Sequence, residues 1–333
     1  GAHSHLPEIP GLEGTPFHTS DTIMRIEQLP ERLIIVGGGF IAAELGHVFS
    51  SLGSSVTVVH RGSEMLRHTD HEISAKFTET FSQQVDLCLD TAALSVEHSE
   101  NTFELTVRDA VGKISVLRSD DLLIATGRRP NGAQLGVESA GVQLDAEGYI
   151  RTDSTLLTNA TGVWALGDVR NRWQLKHLAN QEARVVSHNL LHPDSPISID
   201  QRVVPSAVFS HPQIGSVGLT EQELRSSQRA FVIGSCEYSN VAYGWALEDT
   251  TGFVKILIDP NDLSILGAHV LGIQAATLMQ QLAQAMQFNI PADRLAEEQI
   301  WCHPALPEAI ENALLSGLAL IKTYDPQNEE RNG

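Results

Sequence analysis

Residues 33–44 read LIIVGGGFIAAE: an apolar run breaks into three glycines and then into good helix formers. That is the pattern of a strand, a tight turn and a helix. Gly37 permits the turn, and Gly39 lets the backbone come close to a ligand. The helix opening near Phe40 aims its free N–H groups and positive dipole end at an anion, so the turn is shaped to cradle a pyrophosphate. A bare G-x-G also occurs in plain structural turns. Here an apolar strand precedes it, Ile41, Leu45, Val48 and Phe49 follow at helical spacing, and a second strand is expected at 56–60.

The third position of the dinucleotide fingerprint is Ala42 rather than glycine, and Glu44 follows on the same helix. The acidic residue that binds a ribose 2′-hydroxyl at the end of the second strand is replaced by His60. Arg61 and Arg67 come next, in HRGSEMLR at 60–67. A 2′-phosphate needs cations and is repelled by a carboxylate, so two arginines at this edge point to NADPH rather than NADH. The alternative is a pair of solvated surface arginines. The chain has 22 Lys+Arg against 41 Asp+Glu, a net charge of -19, so a basic pair beside a phosphate turn runs against the trend. The same balance argues against nucleic acid or an anionic membrane surface as partner.

At 333 residues, 42% of them hydrophobic, two or three domains with real cores are expected. No apolar run approaches the ~20 residues that span a bilayer. The opening GAHSHLPEIPGLEG has no apolar leader segment, and Cys88, Cys236 and Cys302 form no disulfide framework. A reducing cytoplasm is the expected location. The first residue is Gly1, and a chain cut from something longer is one expectation. No metal ligand set is assigned.

Helical spacing covers 70–86, with Ile73, Phe77 and Phe81 on one side. Residues 94–108 and 113–118 alternate as a small β-meander. A buried strand is expected at 122–125, ending in Gly127 within DLLIATGRRPN. Another is expected at 163–166, ending in Gly167 and Asp168 within GVWALGDV. An aspartate at the carboxyl end of a buried strand can receive the hydroxyls of a sugar-like chain; the alternative is a simple turn cap. A helix follows at 175–191. From about 202, strand-like runs (RVVPSAVF, FVIGSCEYS, GFVKILID, SILGAHVLG) interleave with helices at 220–227 and 274–287, an α+β texture without a phosphate turn.

WCHPALPEAIENALL, 301–315, carries a second constellation. Pro307 and Glu308 open a helix, and the five-residue interval lets the Glu308 carboxylate reach back to the His303 imidazole. Such a carboxylate fixes the ring tautomer and makes an oriented acid/base. The alternative is a surface histidine before a helix. Cys302 is not assigned as a nucleophile, because adjacent side chains generally diverge.

Taken in order, GGGFIAAE, HRGSEMLR, ATGRRPN, GVWALGD, VPSAVFSHPQIGSVGLTEQEL and HPALPE resemble the flavoprotein disulfide reductases across nearly the whole chain. The resemblance implies an α/β fold: a Rossmann-like nucleotide domain at 23–133 set into a partial FAD-binding domain, 1–22 and 134–196. An α+β dimerisation domain at 197–324 and a tail at 325–333 would follow. It implies FAD and NADPH as cofactors, with Gly37, Gly39, Phe40, Ile41, Ala42, Glu44, His60, Arg61, Arg67, Gly127, Arg128, Gly167, Asp168 and Ala179 as cofactor-binding positions. Asp168 would take the ribityl chain, Glu44 would lie near the nicotinamide–flavin stack, and His303 with Glu308 would be the catalytic acid/base pair acting across a homodimer interface. LKHLANQEARVVSHNLL, VAYGWALEDTTG and IWCHPALPEAIENALL resemble the NADPH-dependent members that reduce mycothione, a small-molecule disulfide.

The family's first G-x-G-x-x-G unit and its C-x4-C redox pair do not occur in these 333 residues. The expectation is therefore the C-terminal two-thirds of such an enzyme, inactive alone, with apolar surface left open around 136–195. Two readings stay beside it: a glutathione, lipoamide or mercuric-type reductase, and a non-catalytic NADPH-binding, dimerising module.

Overall fold

The computed structural model describes residues 1–323, so the tail expected at 325–333 lies outside it. The strands and helices of the first 130 residues, in chain order, are β1 Ala2–Ser4, β2 Arg32–Val36, α1 Phe40–Ser51, β3 Ser55–Val59, α2 His71–Phe81, β4 Asp86–Cys88, β5 Ala92–Ser99, β6 Thr102–Arg108, β7 Ile114–Ser119, β8 Asp121–Ile124 and β9 Arg128–Pro130. β4, β3, β2 and β8 form a parallel sheet in that order, while β5, β6 and β7 form an antiparallel one. β1 pairs with β9.

The unbroken apolar run of β2 now has a cause. Leu33 and Ile35 join a core with Phe49, Phe77 and Phe81 from α1 and α2. Ile34 and Val36 face the opposite way, into a core with Phe103, Leu105 and Val107 of β6. A strand covered on both faces has no reason to alternate. The helix expected over 70–86 ends at Phe81, and Asp86–Cys88 is instead the edge strand of the parallel sheet.

α3, Lys176–Leu191, follows a long irregular stretch. The strand expected at 163–166 is not there. The segment is extended, but it makes only an isolated bridge between Leu157 and Trp164 and then turns into a short 3-10 helix, Gly167–Val169. An apolar run becomes a strand only when a partner edge lies beside it, and here the backbone finds just residues 156–158. Val163, Trp173, Leu190 and Leu191 are exposed, in keeping with the expected open apolar surface.

The last part comprises β10 Ser206–Val208, β11 Ile214–Gly218, α4 Glu221–Ser226, β12 Val232–Glu237, α5 Ala242–Ala246, β13 Phe253–Ile258, β14 Ile265–Leu271, α6 Ala275–Gln287, α7 Ala292–Glu297 and α8 Pro307–Thr323. Its five strands form one antiparallel sheet, β10-β11-β14-β13-β12. Apolar residues of that sheet pack with Leu278 and Leu282 of α6 and Ile310 and Leu314 of α8. β11, α5 and α7 were not anticipated; each has six residues or fewer, too short for periodicity to register.

Candidate functional site

The Gly37 turn sits at the carboxyl ends of the parallel strands. Its N–H donates to Val59 O at 3.0 Å, and Ala125 N–H donates to Val36 O at 2.8 Å, so the turn is held between β3 and β8. Gly37 has φ +142°, and a Cβ there would stand 2.1 Å from Ala125 O. A Cβ on Gly38 would enter the His60 ring at 2.4 Å, whereas one on Gly39 would meet nothing. The three glycines therefore have separate reasons: Gly37 bends, Gly38 admits the imidazole beneath the turn, and Gly39 leaves open space in front of the α1 N–H groups. That arrangement fits a dinucleotide pyrophosphate.

An open cleft of about 2660 Å³ spreads from this turn. Gly37, Gly39, Phe40, Ile41, Glu44, His60, Arg61, Arg67 and Gly127 all line it. Arg61 and Arg67 are exposed, and neither forms an ion pair or side-chain hydrogen bond among the described residues. His60 is half-buried with its Nε2 lacking a partner, and burial followed by the charge of Arg67 holds its pKa below the ordinary value. Glu44 is half-buried; its Oε1 accepts the Phe209 N–H at 2.9 Å, and burial raises its carboxyl pKa despite that bond. Ala42 is fully buried against the core instead of the cleft.

Arg128 is turned away. It lies in β9, donates to Ala2 O at 2.7 Å and stands 3.7 Å from Asp21, while its neighbour Arg129 faces the cleft. Period-two alternation separates the two, and sequence alone did not reveal which would face in.

Gly167, Asp168 and Ala179 form a separate corner. Gly167 has φ +75°, and a Cβ there would touch Ala179 Cβ at 3.6 Å. The residue that builds this corner, Glu182, was missed by sequence reasoning. It is fully buried on α3; Oε2 accepts the Gly167 N–H at 2.5 Å, and Oε1 accepts from Arg170 at 2.7 Å, Asn171 at 2.9 Å and Gln201 at 3.2 Å. The Asp168 carboxylate stands half-buried beside this frame with no hydrogen bond among the described residues, free to receive hydroxyls. Those features fit a polyhydroxyl chain such as the ribityl part of a flavin. The missed signal was a glutamate in register with the buried stripe Leu178, Val185, Val186 and Asn189.

His303 and Glu308 do meet. Their Nδ1–Oε1 distance is 2.7 Å, and Glu308 Oε2 accepts the Ala305 N–H at 3.1 Å. The bond from His303, then that from Ala305, holds the Glu308 carboxyl below its ordinary pKa. The imidazole is largely exposed and does not line the cleft of its own chain.

The pyridine nucleotide-disulphide oxidoreductase model matches residues 1–183, and the dimerisation domain of the same family matches residues 204–314. The chain belongs to the pyridine nucleotide-disulphide oxidoreductase family. It is 45% identical over 319 residues to mycothione reductase of Mycobacterium tuberculosis, covering 95% of this chain and 68% of that protein. It is 31% identical over 298 residues to mercuric reductase of Staphylococcus aureus, covering 89% of this chain and 54% of that one. Among solved structures, the HOCl-induced flavoprotein disulfide reductase RclA of Escherichia coli superposes with a TM-score of 0.85 at 29% identity, covering 95% of this chain and 72% of that chain. Membership makes this an oxidoreductase and implies pyridine nucleotide and flavin cofactors. The matched dimerisation domain supports a homodimer. Among the described residues, no helix is long and apolar enough to cross a membrane.

Proposed function

We propose that this chain serves an NADPH- and FAD-dependent disulfide reductase acting on mycothione in the cytoplasm. The observation that carries the cofactor reading is a pair of unpartnered guanidiniums over the cleft, six residues apart on the arm beside the Gly37 turn, in a chain of net charge -19. The substrate reading rests on the 45% identity to mycothione reductase. We assign 23–133 to the dinucleotide, 1–22 with 134–196 to the flavin, and 197–324 to the subunit contact.

When bound, the nucleotide and flavin supply reducing equivalents as hydride and electrons. The chain's own residues bind and orient. Gly37, Gly39 and the first N–H groups of α1 hold the pyrophosphate, while Arg61 and Arg67 hold the 2′-phosphate. Glu44 borders the cleft about one turn along α1 from the phosphate site. Glu182 holds the Gly167 turn so that Asp168 can accept ribityl hydroxyls. Glu308 fixes Nδ1 of His303, which leaves Nε2 to carry a proton to the mycothiol thiolate displaced when a thiolate of the family's redox cysteine pair, outside these 333 residues, attacks mycothione and forms a mixed disulfide. The exposure of that imidazole suits a site completed by a second subunit.

Replacing both Arg61 and Arg67 by Ala tests the cofactor reading. Loss of two charge-assisted phosphate contacts should weaken NADP+ binding by about a hundredfold while NAD+ binding changes little. Titration calorimetry reads both constants, and an unchanged preference would end the NADPH assignment. Turnover of mycothione against glutathione and lipoamide disulfides by the complete gene product tests the substrate.

A further inference from the structure

The arm that carries Arg61 and Arg67, residues 60–70, is fastened along its length. Before Arg67 the bonds are local: His60 N–H donates to Cys88 O at 2.9 Å, Met65 N–H to Thr78 Oγ1 at 2.9 Å and Leu66 N–H to Gly38 O at 2.7 Å. At the far end the fastening comes from the sheet unit that follows residue 204. Gln222 of α4 accepts the His71 N–H at 3.2 Å and donates to Thr69 O at 2.7 Å. Asp70, fully buried, caps α2 through the Glu72 N–H. It also accepts the Glu221 N–H at 2.9 Å and the Lys255 ammonium at 2.9 Å.

Lys255 is the unusual member. It is 1% exposed in β13, inside the otherwise apolar run FVKILI, and it meets Glu72 at 3.0 Å and Glu221 at 2.5 Å besides Asp70. His269 of β14 completes the packing, its Nε2 3.9 Å from Asp70 and within hydrogen-bond distance of Leu219 O. Burial disfavours the ammonium, yet the Glu221, Asp70 and Glu72 carboxylates hold its pKa up at about 12. A buried ion cluster is weak evidence for stability, since apolar groups of the same shape serve as well. Its directional bonds tie the two units together at one register. Here that arrangement sets the backbone three residues beyond Arg67.

We propose that Lys255, Glu221 and Gln222 are positioning residues for 2′-phosphate recognition: from the interface unit they hold Thr69–His71 so that Arg61 and Arg67 stand over the Gly37 turn. This deepens the NADPH reading and rests on it. Long arginine side chains with no partner of their own take their reach from the backbone that carries them, so loosening the arm penalises the phosphate contact and spares the pyrophosphate contact made by the turn itself. Selection between the two dinucleotides thereby depends on residues of the dimerisation unit that touch neither.

The test is calorimetric titration of the protein with NADP+ and with NAD+, in Lys255→Met, Gln222→Ala, Arg67→Ala and the Lys255→Met/Arg67→Ala double variant. Lys255→Met should weaken NADP+ by about tenfold and NAD+ by less than about twofold. Gln222→Ala, at an exposed site that strands no buried charge, should weaken NADP+ by about threefold and keeps the proposal testable where Lys255→Met does not fold. In the Arg67→Ala background, Lys255→Met should cost NADP+ less than the roughly tenfold it costs the intact protein, because only Arg61 is left to position, and hydrogen exchange at the Leu66 amide should quicken in Gln222→Ala. Equal weakening of both dinucleotides, or none, with Arg67→Ala still losing its preference, overturns the positioning role and leaves the NADPH reading intact. A preference unmoved by Arg67→Ala overturns both.

Discussion

The turn at Gly37 and the turn at Gly167 begin alike and are held differently. Each follows an apolar run, IIV in one and WAL in the other, and each puts its glycine at positive φ. The first is gripped by backbone: Val59 O receives the Gly37 N–H, and the strands on either side continue the ladder. Among the described residues, the second has no sheet around it. Its Gly167 N–H ends on the carboxylate of Glu182, fifteen residues away. A ladder shares its load over many bonds that any side chain permits, whereas the second turn has a few scattered backbone bonds, such as Ile150 N–H to Val169 O, and one side chain that meets four donors.

The sharpest way to break that comparison is Glu182→Ala. It removes the acceptor of the half-buried Arg170 guanidinium and of three further donors, the buried Gly167 N–H among them, so a loss of about 3 kcal/mol is expected, with residues 167–171 exchanging amide hydrogens faster. Urea denaturation and exchange at the Gly167 amide measure it. A cost below about 1 kcal/mol would mean the corner has support besides the carboxylate.

Gly37→Ala probes the other turn and should cost somewhat less, about 2–3 kcal/mol, because positive φ and the Ala125 carbonyl both oppose the new methyl. Dinucleotide binding should fall with it, while the parallel sheet survives. A variant of Gly37 that binds NADP+ as before would show that the turn yields more readily than its ladder implies.

Legibility in the sequence follows the same division. The β2–α1–β3 unit was readable because strand, turn and helix are contiguous and each leaves its own period. His303 and Glu308 were readable because five residues separate them across a helix start. The 163–166 run was misread as a strand, since apolarity reports burial and not the presence of a neighbouring edge. Asp70 and Lys255 stand 185 residues apart, a contact that no local pattern announces. Yet each end left a trace: an aspartate just before an amphipathic helix, and a lysine inside an apolar strand. Glu182 left a similar trace on the buried stripe of α3. Charged residues standing where the period demands apolar ones were the unused signal at Lys255 and Glu182.

The smallest expected effect concerns Glu44, which performs at half depth what Glu182 performs at full depth: it accepts a distant backbone amide, that of Phe209. One bond does not offset its burial, and the folded-state pKa lies above the ordinary carboxylate value of 4.5. The folded protein therefore holds this proton more tightly than the unfolded chain does. Stability falls as pH rises from about 4.5 through the raised value, and the penalty persists at neutral pH. Glu44→Gln keeps an oxygen to accept the Phe209 N–H and removes the charge. It should leave stability unchanged near pH 4 and raise it at pH 7, by less than about 1 kcal/mol because solvent reaches the group and screens it. Thermal melts of both proteins at the two pH values decide the matter. A variant less stable at pH 7 would mean that the ionised carboxylate is a net support for the Phe209 loop, and that Glu44 and Glu182 differ in depth but not in kind.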